Sequence, residues 1–173
     1  MDGTSWCATS SPLRENDMTI TLADWEFQVE ETATRDYTHQ CSLDHCTCPY
    51  CENFYENVDK VHPNLRPVLD RFGIFLNGPC EVMPFEPTYV AAAYRVTGKI
   101  RGRGETNLHI DGVPLRFEEG NDTTFLLWVG PMDLPWTQKE DMDEVLSPAN
   151  QPEFMERMME RLLLWAEDGS TES

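Results

Sequence analysis

Basic residues are scarce in this chain: 13 Lys and Arg stand against 31 Asp and Glu, a formal net charge of −18. Neutralising nucleic-acid phosphates takes the opposite excess, so direct nucleic-acid binding is excluded, and an anionic membrane surface is disfavoured by the same sign. Long hydrophobic runs are lacking as well. The densest, Leu162-Leu163-Leu164-Trp165-Ala166, falls far short of the roughly 18 apolar residues that make a membrane helix. Residues 1–17 carry no apolar core of the secretory type and read as a flexible leader on a soluble, cytoplasmic chain. The glycines match neither a P-loop nor a dinucleotide fingerprint. Nor does any nucleophile come with an evident base and oxyanion site, so the reading leans towards a non-enzymatic protein.

What is present is a globular composition, 40% hydrophobic and 10% aromatic over 173 residues. That length fits one domain, expected over 18–169, burying about 70% of the surface its unfolded chain exposes. Met18 to Leu22 and Trp25 to Val29 alternate apolar with polar residues, the pattern of half-buried strands. Residues 32–47 lose all periodicity and read as an irregular segment that something other than its own side chains must order. From Pro49 the period becomes helical, with Tyr50, Phe54 and Val58 on one face, Pro49 at the first helical position and Cys48 at the N-cap. A second short helix fits Asn64 to Phe72, capped by Asn64 and closed by Gly73.

Farther on, Val90, Ala92, Tyr94 and Val96 share one face of a strand, and Asn107 to Phe117 reads as a hairpin turning at Asp111-Gly112. Pro114 marks its second strand as an edge. Thr123 to Val129 supplies another strand. A last amphipathic helix is expected over 152–167, with 170–173 as a tail. Strands, helices, strands and a helix in that order fit an α+β fold: a mainly antiparallel sheet packed by helices, with a helical insertion after a Cys-rich loop at 39–51.

Four of the six cysteines, Cys41, Cys46, Cys48 and Cys51, fall in that loop as C-x4-C-x-C-x2-C, interleaved with His39 and His45. In a reducing compartment such clustering points to metal or redox chemistry rather than to a disulfide framework. Tetrahedral zinc takes four thiolate or imidazole ligands, so a structural zinc on these four cysteines is the expected cofactor, and it would also order the segment around it. Four nearby cysteines would close the coordination shell and leave no catalytic position. The negative excess of such a site calls for donors: helix N–H groups, Arg35 or a protonated histidine. Cys7 and Cys80 read as ordinary free cysteines.

The same residues permit a second chemistry. Cys48-Pro49-Tyr50-Cys51 resembles the CPYC active site of glutaredoxins, which stands at the start of a helix. The resemblance covers these four residues and implies Cys48 as nucleophile and Cys51 as resolving thiol. Glutaredoxins run a buried hydrophobic strand into the motif, whereas Asp44-His45-Cys46-Thr47 is polar.

Lys99, Arg101 and Arg103 form the one local basic concentration and read as a solvated, glycine-bearing turn. His62, His109 and Asp111 read as surface residues. Acidic residues gather toward the C-terminus, from Asp133 through Glu140, Asp141, Asp143 and Glu144 to Glu160. A dense negative surface binds a basic protein face, so the expected function is an acidic protein-binding or inhibitor module with a structural zinc and a basic protein partner. A thiol-disulfide protein and a small-molecule-binding protein are the alternatives.

Overall fold

The structure, a computed structural model, describes residues 17–86, 89–104 and 107–139. The expected helix over 152–167, the acidic run from Glu140, Cys7 with residues 1–16, and the tail lie outside them. The chain runs β1 (Asp17–Leu22), β2 (Trp25–Glu30), α1 (Glu31–Leu43), α2 (Pro49–Val61), α3 (Leu65–Asp70), β3 (Glu81–Glu86), β4 (Tyr89–Gly102), β5 (Leu108–Ile110), β6 (Val113–Glu119) and β7 (Thr124–Asp133). All the strands join one seven-stranded antiparallel sheet, in the order β1-β2-β4-β7-β6-β5 with β3 also on β4. With its helices this is an α+β fold with a mainly sheet core, as the patterning implies.

Strand β4 is the spine. Its first part pairs with β3, from Glu86↔Tyr89 to Glu81↔Ala93, and its last part pairs with β2, from Val29↔Gly98 to Glu26↔Gly102. Most of its length also pairs with β7. The alternation expected of it holds: Val90, Ala92, Tyr94 and Val96 join the main core with Phe27, Phe54, Leu69 and Phe125, while Ala93 joins Met83 and Trp128 in a second cluster. The Tyr94 hydroxyl, fully enclosed in that core, donates to the Leu76 carbonyl at 2.7 Å.

Several sequence expectations need correction. Residues 32–47 are not irregular, because α1 occupies Glu31–Leu43 and leaves only residues 44–48 outside a helix. Its buried face is threonine rather than apolar. Thr34 and Thr38 donate to the carbonyls one turn back, Glu30 and Thr34, at 3.0 Å each. Their oxygens also accept the N–H groups of Thr97 at 3.0 Å and Phe75 at 2.9 Å, which moors α1 to β4 and to the chain after α3.

Asn64 makes no side-chain cap on α3. It spends its backbone N–H (2.9 Å) and its side-chain amide (2.6 Å) on the Asp111 carboxylate instead. Lys99 and Arg101 lie in β4, not in a turn; Arg101 donates to Gln28 at 2.8 Å and Arg103 pairs with Glu119 at 2.8 Å. Nor is β6 an edge, since it lies between β5 and β7; Pro114 falls just beyond its last registered pair with β7, Leu115↔Val129. The hairpin turn is as expected, with positive φ at both Asp111 (53°) and Gly112 (77°).

Candidate metal centre

The site forms where α1 ends and α2 begins. Cys48 is the N-cap of α2, in extended backbone, with Pro49 at the first helical position where its missing N–H costs nothing. A helix start leaves N–H groups without intrahelical partners, and here they turn to sulfur. Cys51 N–H donates to Cys48 Sγ at 3.5 Å, and Cys48 N–H donates to Cys46 Sγ at 3.4 Å. The result is a compact group in which the ligating atoms of Cys46, Cys48 and Cys51 all lie within 4.8 Å of one another. Thiolates around a tetrahedral zinc stand about 3.8 Å apart at Zn–S distances of about 2.3 Å, so small side-chain rotations suffice to close this group on an ion.

Burial is graded across the group, from Cys46 exposed through Cys48 half-buried to Cys51 buried. The hydrogen bond from the Cys51 thiol is the largest influence on Cys48, and with the N–H groups of Cys51 and Tyr50 it lowers the Cys48 thiol to about 5. Cys51 moves the opposite way, pushed well up because its proton is held by Cys48 and its sulfur is buried. Burial likewise raises Tyr50, with the Cys51 and Cys48 sulfurs adding to it.

Of the four cysteines expected to ligate, the structure gathers three. Cys41 lies in the last turn of α1 and is not one of the three within 4.8 Å, but it shares with Cys46 and Cys51 the wall of a cleft of about 360 Å³. On α1, Tyr37 and Cys41 are one turn apart and both line this cleft, where burial first and the neighbouring Cys41 second push the Tyr37 hydroxyl up. His45 also lines it; its Nδ1 lies 2.6 Å from the Ser42 carbonyl and its ring packs edge-on against Tyr55 at 4.9 Å. Arg35, expected as a charge donor to the sulfurs, is engaged elsewhere with Glu31 at 2.7 Å.

Cys80 belongs to the same cleft, which no spacing in the sequence foretells. Packing brings it there: at Gly78 an added Cβ would overlap the Thr38 carbonyl oxygen, so only glycine lets residues 74–80 lie directly on α1. The Cys80 thiol donates to the Ala93 carbonyl at 3.2 Å. Although the residue as a whole is exposed, loss of solvation at its sulfur, followed by the charges of Cys41 and Glu81, pushes this thiol up to about 11.

Around the motif shared with glutaredoxins, Cys48 does stand at a helix start, but the element leading into it is α1 followed by residues 44–48 rather than a strand. The other histidines read as surface residues take no part in the cleft: His62 Nε2 lies 3.4 Å from the Asp133 carbonyl and His109 Nδ1 lies 2.9 Å from the Asn107 carbonyl. No helix among the described residues is long and apolar enough to cross a membrane. No protein-family profile, curated protein or solved structure matches the chain.

Proposed function

We propose that the protein is a zinc-binding, non-enzymatic module in which Cys46, Cys48 and Cys51 hold the ion at the junction of α1 and α2, and in which the acidic surface docks a basic protein partner. The observation that carries the metal reading is the convergence of three sulfurs within 4.8 Å at a helix N-terminus. Two of the three already accept backbone N–H groups, which offset the negative charge of a thiolate-bound ion. Soft sulfur donors favour zinc over the harder divalent ions. The docking reading is supported by the net charge of −18.

Metal analysis of protein purified without added zinc tests the first part. About one zinc per chain is expected, lost in Cys46→Ser and Cys51→Ser; metal-free protein that folds identically would overturn it. The docking part predicts capture of a basic partner that weakens steeply between low and physiological salt, and salt-insensitive capture would overturn it.

A thiol-disulfide role is a second reading, favoured by one observation: the Cys48 thiol, lowered to about 5, stands beside a buried Cys51. It predicts a reversible Cys48–Cys51 disulfide in protein free of metal.

A further inference from the structure

We propose that the metal held by Cys46, Cys48 and Cys51 keeps its fourth position open to the cleft beside it, and that this position takes the sulfur of a small cationic thiol, an aminothiol. The inference rests on the metal-site reading and adds the class of ligand.

Coordination number comes first. Zinc takes four ligands; structural sites supply all of them from the protein, while sites with three protein ligands leave a place for a fourth from outside. The structure gathers three sulfurs. The other two sulfurs in the cleft stand outside that group, since Cys80 donates to the Ala93 carbonyl at 3.2 Å and Cys41, in the last turn of α1, does not lie within 4.8 Å of all three. They form a wall without closing the shell.

Access and size come next. Cys46 is exposed, and the cleft it lines with Cys51 has a volume of about 360 Å³. That falls at the lower end of the range for small-molecule sites.

Charge then selects the ligand. Three thiolates on a divalent ion leave one negative charge in excess. Asp44 and Glu81 line the same cleft, and none of its lining residues is Lys or Arg. An anionic ligand is repelled and an ammonium group is attracted, while the metal favours soft sulfur. An aminothiol satisfies both. Its binding involves no redox change: a solvent ligand leaves, the sulfur lone pair forms the metal bond, the thiol proton passes to bulk water and the ion stays divalent.

Cobalt(II) substituted for zinc in the full chain reads the number of bound sulfurs through its thiolate charge-transfer and d–d bands. Cysteamine, 2-mercaptoethanol and thioglycolate serve as cationic, neutral and anionic probes. Cysteamine is expected to add the intensity of a fourth sulfur and to bind about tenfold more tightly than thioglycolate at low salt, a preference that shrinks as salt is added. Asp44→Asn combined with Glu81→Gln narrows the preference and keeps the bands. Cys41→Ser leaves the three-sulfur spectrum as it is. A four-sulfur spectrum before any thiol is added, reduced in Cys41→Ser, overturns this inference alone, as do bands indifferent to cysteamine or cobalt stripped off by it. Absence of every thiolate band overturns the metal reading along with it.

Discussion

Cys48 and Cys51, one helical turn apart at the start of α2, are held in opposite protonation states. Cys48 is lowered to about 5 because the Cys51 thiol and two backbone N–H groups point at its sulfur, and Cys51 is raised because it donates that proton and is buried. A thiol lowered this far is ionised above pH 5, so in protein stripped of metal the rate of Cys48 alkylation by iodoacetamide should already reach its plateau at pH 7. Cys80, pushed up to about 11, should stay slow at that pH, and peptide mapping of the labelled sites separates the two. A Cys48 that gains reactivity only near pH 9 would contradict this geometry.

At this scale the cysteine cluster was legible, because Cys46, Cys48 and Cys51 lie close along the chain and Pro49 announces a helix start. Cys80 was not. It reaches the cleft through the contact of Gly78 with α1, and a tertiary contact across a glycine leaves no periodic trace in the residues around it.

Among the elements, α1 is the one whose sequence conceals it. Threonine is a weak helix former whose hydroxyl competes for backbone partners, and the segment has no apolar stripe to reveal the period. Once folded, the same hydroxyls serve two purposes, satisfying carbonyls one turn back and accepting the N–H groups of Thr97 and Phe75. The strands β1 and β2, the β5–β6 hairpin and the face of α2 were readable because each carries its own local signal: alternation, an Asp-Gly turn, or an apolar stripe behind a proline.

The mooring of α1 yields two predictions. Thr38→Val keeps the volume but leaves the Phe75 N–H without its acceptor, which should cost about 1–3 kcal/mol in urea unfolding. Gly78→Ala forces the Cys80 segment away from α1 and should cost about 1–3 kcal/mol. The second change should also relieve the burial of the Cys80 sulfur and weaken the influence of Cys41 on it, bringing the alkylation of Cys80 toward that of an ordinary thiol. The first should leave it in place, so the pair distinguishes loss of a hydrogen bond from loss of the close approach.

For the molecule as a whole, 31 acidic groups against 13 basic ones mean that compaction works against self-repulsion. Screening relieves it. Raising the ionic strength from about 0.01 M to 0.15 M shortens the Debye length from about 30 Å to about 8 Å. The thermal midpoint should therefore rise, by roughly 2–4 °C for each kcal/mol recovered in a chain of this size. A midpoint that falls with salt would mean that attractive pairs such as Arg66 with Asp59, 2.9 Å apart, outweigh the repulsion.

Strand β4 is bonded along one edge to β7 and along the other to β3 as far as Ala93 and to β2 from Gly98, so the strand itself is released only when three neighbours part from it. In deuterated solvent the backbone protons of Ala92 to Val96 should be the last to exchange, at a rate set by opening of the whole sheet. Among the described residues, those of 45–47, outside any helix or strand, should be replaced early. Adding a metal that binds the neighbouring sulfurs would slow this early phase and leave the late one untouched, so the time course of exchange separates stiffening of the site from stiffening of the fold.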